Sequence, residues 1–245
     1  TEPYIVGGHT ASGYWVDNNR ATTIEGLYAA GDVAGGCPQK YVTGALAEGE
    51  IAAEAILEYL NGKDNDRIAA ENKKEALACG GEQELSQTAI AKKAEYESHL
   101  NASRSLMNAE QLEEAMQKIM DQYAGGISTD YRYSGMSLAK ADEKIAALLP
   151  VADTLAAADT YELMQIYELR ERLIVCRAVI AHLAARKETR WHSFGENTDY
   201  PQQSEEWMKY VNSRMENGEI KILYRDLITK ENTGLNTAEK GAGER

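Results

Sequence analysis

The sequence is poor in cysteine and has no long apolar run. Three cysteines (Cys37, Cys79 and Cys176) are scattered through 245 residues. They form no CxxC pair, no zinc-ligand spacing and no cluster able to hold iron and sulfur. An odd, unspaced set reads as free thiols in a reducing compartment, so the expected location is the cytoplasm. No stretch approaches the ~20 apolar residues of a membrane span. Positive charge is also in deficit: 26 Lys and Arg stand against 39 Asp and Glu, a formal net charge of −13. Nucleic-acid binding works by releasing counterions from a basic surface, so no nucleic-acid partner is expected. No internal repeat is visible. What is present is a 43% hydrophobic fraction. That can build a core and excludes collagen-like, disulfide-rich and disordered classes. The chain opens without Met and without a signal-peptide pattern, then enters glycine-rich, strand-like sequence. It is expected to be cut from a longer chain.

The texture changes near residue 61. The first stretch is glycine-rich, with strand candidates at Gly13–Asp17 and Gly26–Asp32. A helix follows from Gly44 to Leu60, with Ala45, Leu46, Ile51, Ala52, Ala55, Ile56, Tyr59 and Leu60 as its apolar face and Asn61-Gly62 as its stop. Residues 63–190 read as helices: about Asp66–Ala78, about Glu82–Leu100, one from Asn108 with Gln111 as capping-box partner, one capped by Ser137 and ending at Leu149-Pro150, and a long one from Asp159-Thr160. The long helix is apolar over so wide an arc that it is expected at the centre of a bundle. Beyond Arg190, a loop, a short helix capped by Ser204 and carrying Trp207, Met208 and Val211, and a strand over Glu219–Ile228 lead into a polar tail. The expected order is an α/β segment (1–62), a mainly α-helical bundle (63–190) and a small α+β extension (191–245).

Four groups of residues could carry chemistry. Gly31-Asp32 closes an apolar strand: the glycine lets a ligand approach the backbone and the carboxylate can accept from sugar hydroxyls, although a plain turn has the same appearance. Thr43-Gly44-Ala45-Leu46 opens a helix whose free N–H groups favour negative charge, or whose small residues simply pack closely. His9, in a glycine-rich loop, and Lys40, in another, would suit an anionic substrate if they converge. Arg186-Lys187-Glu188-Thr189-Arg190, before Asp199-Tyr200-Pro201, reads as a basic helix end that complements the helix dipole. His99, His182 and His192 show no ligand spacing and read as structural.

Taken in order, Gly7-Gly8-His9, Gly26-Leu27-Tyr28-Ala29-Ala30-Gly31-Asp32, Thr43-Gly44-Ala45-Leu46-Ala47-Glu48-Gly49-Glu50-Ile51-Ala52, a helical bundle, then Ala185-Arg186-Lys187-Glu188-Thr189-Arg190 and Asp199-Tyr200-Pro201, the sequence resembles the C-terminal half of the succinate dehydrogenase/fumarate reductase flavoproteins. Tyr14-Trp15-Val16-Asp17 and the run Ala34–Gly44 resemble the adenylylsulfate reductase branch of that family. Lys40 stands where the dicarboxylate enzymes carry a substrate-binding arginine. The resemblance implies an α/β fold of FAD-binding Rossmann type for the first segment, present only as a remnant because the first Gly-x-Gly-x-x-Gly motif is missing. It implies non-covalent FAD held by Gly31, Asp32, Thr43, Gly44, Ala45 and Leu46. It implies His9 as the catalytic residue, Lys40 and Trp15 as substrate-binding residues, and no metal site in this chain. It further implies an iron–sulfur beta subunit carrying the clusters, and reduction of adenylylsulfate to sulfite and AMP, or the reverse, through a flavin N5–sulfite adduct. Two alternatives stand beside it: a dicarboxylate-specific flavoprotein, and a helical partner-docking module without catalysis.

Overall fold

The computed structural model describes residues 13–35, 42–62, 81–103, 106–190 and 195–227. The described residues divide into two compact units at Glu82–Gln83. Among the described residues no helix is long and apolar enough to cross a membrane.

In the first unit the two expected strands form isolated bridges rather than ladders. Tyr14 pairs in parallel with Ala34, while Val16–Thr22 and Ala21–Tyr28 pair antiparallel. No strand of a Rossmann-type sheet lies among the described residues of this unit. Asp17 turns the chain: its Oδ1 accepts from the N–H groups of Asn19 and Ala21 at 2.8 and 2.9 Å. Helix α1 spans Val42–Gly62. It packs on the single 3₁₀ turn Gly31–Val33. Its buried stripe is Glu48 and Ala52, continued by the half-buried Ala55, Ile56 and Tyr59. Leu46, at 69% exposure, and Leu60, at 46%, were expected on that stripe and lie off it. Tyr59 closes the far end, edge-on to Tyr28 at 6.5 Å between ring centroids.

The second unit is built from helices, with a small strand pair and a hairpin. The elements are α2 (Gly81–Leu100), α3 (Ala109–Tyr123), β1 (Arg132–Tyr133), α4 (Gly135–Ala152), α5 (Thr160–Ala185), β2 (Glu196–Asn197), β3 (Lys209–Glu216) and β4 (Glu219–Asp226). The cap before α3 forms as the sequence predicts. Asn108 Oδ1 accepts from Gln111 N–H at 2.8 Å, and Gln111 Oε1 accepts from Asn108 N–H at 3.0 Å. Asp159 likewise caps α5. The cap of α4 falls one turn earlier than predicted, on Ser134, with Ser137 as its box partner. Pro150 sits inside the last turn of α4, because the helix continues to Ala152.

The core joins α3, α4 and α5. Leu112, Leu138, Ile145, Leu155 and Leu173 are essentially fully buried. Helix α5 buries Leu163, Ile166, Leu169, Leu173 and Ile180. Its breadth does not make it central on every side, since Tyr161, Met164, Ile174, Val175 and Val179 remain exposed. Helix α2 is tied on through polar contacts: buried His99 donates from Nδ1 to Leu155 C=O at 2.7 Å, and Tyr167 donates to Glu95 at 2.7 Å.

The predicted helix after Ser204 is only the 3₁₀ turn Glu205–Trp207. Val211 lies in β3, opposite Tyr224. The reason is the Asn217-Gly218 pair, at φ +52° and +80°. Both residues in the left-handed region make a tight hairpin loop, which forces residues 209–216 to pair with β4. The predicted strand Glu219–Ile228 is β4, ending at Asp226.

Candidate functional site

The expected ligand residues of the first unit meet where the Gly31–Val33 turn abuts the start of α1. Gly31 is buried with φ +72°. A Cβ placed on it would lie 3.2 Å from Ala45 Cβ, tighter than ordinary contact. Glycine is therefore required twice here, by conformation and by space. Asp32, one residue on, is exposed, and so are Val33, Thr43, Ala45 and Leu46, while Gly44 is half-buried. With α1 starting at Val42, the amide donors without intrahelical acceptors belong to Val42, Thr43 and Gly44; Ala45 and Leu46 follow one step further in. The first turn carries no acidic side chain to quench that positive end. Trp15 is half-buried beside the Tyr14–Ala34 bridge. His9 and Lys40 lie outside the described residues, as do Cys37, Cys79 and His192. Among the described residues no group of His, Cys, Asp and Glu could hold a metal ion.

Beneath this surface lies a pair that the sequence reading missed. Glu48 is 4% exposed. Its Oε2 accepts from Gly31 N–H at 2.9 Å, and its Oε1 lies 3.4 Å from Arg20 Nη2. Arg20 has φ +66°. Its N–H donates to Asp17 C=O at 3.1 Å, and its own C=O accepts from Ala29 N–H at 3.0 Å. Burial, then Tyr59 and Asp17, push the nearby Tyr28 hydroxyl upward from its ordinary value. The available signal was the stripe itself: Ala45, Glu48, Ala52 and Ala55 share one helical face, and a carboxylate among alanines there needs a partner.

The second missed node is in the other unit. Arg186–Arg190 is not simply a basic helix end. The Glu188 side chain is fully buried, and it accepts from Arg186 at 2.6 Å, Arg190 at 2.9 and 2.8 Å, and Ser204 N–H at 3.1 Å.

A family model described as the fumarate reductase flavoprotein C-terminal region matches residues 110–239. The chain belongs to this flavoprotein family. The match takes in α3 to β4 and lies beyond α1 and the Gly31–Val33 turn. Among relatives of this flavoprotein, adenylylsulfate reductase subunit alpha of Megalodesulfovibrio gigas is 29% identical over 87% of the chain and 35% of its own length. Adenylylsulfate reductase of the hyperthermophile Archaeoglobus fulgidus superposes with TM-score 0.68 at 29% identity, over 89% of this chain and 37% of that one. A structure of adenosine-5-phosphosulfate reductase in complex with sulfite, as a covalent adduct, gives TM-score 0.66 at 32% identity, over 86% and 33%. The flavoprotein chain thus spans about a third of the length of the relatives it matches.

Proposed function

We propose that this chain is part of an FAD-dependent oxidoreductase subunit that reduces adenylylsulfate to sulfite and AMP, or runs the reverse reaction. The observation that carries the reading is the junction of the Gly31–Val33 turn with the start of α1. Asp32, Thr43 and Leu46 face outward above a Gly31 closed by Ala45 and Glu48. That is a small-residue cradle with an outward carboxylate and a helix N-terminus, which fits a bound dinucleotide. The similarity to adenylylsulfate reductases supports the choice of substrate.

On this reading, Asp32 accepts from the ribityl hydroxyls of non-covalent FAD. Gly31 and Gly44 let the cofactor approach the backbone, the N–H groups at the start of α1 face its electron-rich edge, and Ala45 and Leu46 floor the site. Bound FAD supplies the two-electron chemistry. His9 and Lys40 bind and polarise the anionic sulfo-phosphate, with Trp15 beside them. Residues 1–62 are then the C-terminal part of the FAD-binding domain, 63–190 the helical domain and 191–245 an extension. Electrons arrive from an iron–sulfur partner subunit, since this chain has no cysteine cluster for such a centre.

The test is the visible spectrum of the complete gene product, with sulfite added to one sample and succinate to another. Bleaching of the flavin band by sulfite, with a response altered by AMP, is the expected result. Reduction by succinate without an AMP effect would replace this reading with a dicarboxylate oxidoreductase, the substrate class of fumarate reductase flavoproteins.

A further inference from the structure

Glu48 is the one carboxylate on the buried stripe of α1, and stability alone does not explain it. An apolar residue of similar size would pack there with no charge to desolvate, and such exchanges are often neutral or favourable. What an apolar residue would not do is accept from Gly31 N–H, which Glu48 does at 2.9 Å across 17 positions of sequence. The opposing charge comes from Arg20, 3.4 Å away. Arg20 is itself held in the left-handed region, where a residue with a side chain is disfavoured, by backbone hydrogen bonds to Asp17 and Ala29. The carboxylate therefore ties α1 to the Gly31 turn directly and, through Arg20, to the Asp17–Ala21 turn, which the segment at Ala29 holds in turn. The Gly31 amide points inward as a result, and Asp32 is left facing out beside the start of α1.

We propose that Glu48 is a positioning residue for the cofactor: with Arg20 it locks the Gly31–Asp32 turn at a fixed height and angle against α1, and so sets where Asp32 presents its carboxylate. The inference rests on the FAD reading above and adds a residue that touches neither cofactor nor substrate. Gln at position 48 keeps an acceptor for Gly31 N–H. Ala keeps neither acceptor nor charge.

The experiment uses the complete gene product. FAD is stripped and titrated back, and its fluorescence gives the dissociation constant for wild type, Glu48→Gln, Glu48→Ala and Leu112→Ala. The last variant opens a cavity in the other unit and serves as the control for general destabilisation. Glu48→Ala is expected to bind FAD at least ten-fold more weakly than wild type, Glu48→Gln within about three-fold of wild type, and Leu112→Ala unchanged. If Glu48→Ala binds FAD as Leu112→Ala does, the positioning role is wrong while the flavin reading stands. If Glu48→Gln falls as far as Glu48→Ala with the fold intact, the acceptor role at Gly31 is wrong. If wild type itself retains and rebinds no FAD, the flavin reading fails and this inference with it.

Discussion

Replacing Glu188 by Gln keeps the shape of the side chain and removes its charge from a fully buried position. Four hydrogen bonds converge on that carboxylate, from Arg186, Arg190 (two) and Ser204. The same arginines reach across to the lead-in of the hairpin: Arg186 donates to the carbonyls of Trp207 and Lys209, each at 2.9 Å, and Arg190 to that of Ser204 at 2.8 Å. Glu188 thus orients the two cations that fasten residues 204–209 to the end of α5. Breaking a buried charge set by removing one partner costs about 3–5 kcal/mol. Here the guanidinium-bearing side chains keep 31% and 19% exposure, so water reaches them once the carboxylate is gone. The expected loss for Glu188→Gln is therefore about 2–3 kcal/mol. The assay is native-state hydrogen exchange of the β3 and β4 amides, where this loss accelerates exchange by about 30- to 150-fold. Less than about a three-fold change would refute the reasoning. An equal change in the α3 amides would show that the node supports the whole unit and not the hairpin alone. Acid gives a second check. Burial pushes the Glu188 carboxyl upward, but the hydrogen bonds from Arg190, Ser204 and Arg186 outweigh it and hold the group below the usual glutamate value. The unfolded chain then takes up the proton first as pH falls. The contribution is fully present above the ordinary glutamate value and is lost as pH falls through the lowered one. The Gln variant is expected to lack that part of the acid slope.

Leu112→Ala opens a cavity at a fully buried position between α3 and its neighbours, and should cost about 3–4 kcal/mol by urea denaturation followed by circular dichroism. Asn108→Ala removes the acceptor for Gln111 N–H and leaves only the backbone half of the box before α3; it should cost about 1 kcal/mol, with Asn108→Ser recovering most of it in the same assay. Burial, then Arg186, push His182 below its ordinary value; the unfolded state therefore binds the proton first, and stability falls as pH drops below about 6.5. His182→Gln should flatten that segment of a plot of melting temperature against pH, and an unchanged slope would count against it. Titrated with FAD, the 245-residue chain by itself should show no sub-micromolar dissociation constant, because no Gly-x-Gly-x-x-Gly run occurs in its sequence; a tighter value would contradict the expectation.

The parts of the fold legible in the sequence are those set by local chemistry. The α3 cap needs only Asn108 and Gln111 at a spacing of three, and the α5 start needs only Asp159. The long apolar arc of α5 was legible as a core helix, but periodicity does not say which half of the arc meets a neighbour, and Val175 and Val179 stay exposed. The hairpin was half-read. The strand at Glu219 showed alternation, whereas Lys209–Glu216 mixes charge and apolar residues without a clear period, and only Asn217-Gly218 marked it as the partner. In the first unit the apolar runs suggested strands, yet the described residues make single bridges, since strand pairing needs a neighbour that these segments do not supply to one another.

The two buried carboxylates explain why the candidate site was harder to read than the helices. Charge in a sequence is normally assigned to a solvated face, because burying it unpaired is costly. Glu48 and Glu188 escape that cost by opposite local geometries. Glu48 sits on a helical stripe between Ala45 and Ala52, and its cation comes from Arg20, far back along the chain. Glu188 sits in extended chain just past the end of α5, where residues two apart fall on one side, so Arg186 and Arg190 reach it from the same strip of sequence. The second arrangement is local, and Arg-x-Glu-x-Arg after a helix is a pattern that a sequence can betray. The first depends on a turn and a left-handed arginine brought next to α1 only by the fold. A reading that treats each acidic residue as solvated until a partner is found at i±2, i±3 or i±4 will therefore find carboxylates like Glu188 and miss those like Glu48, which the fold pairs with a turn 17 positions away.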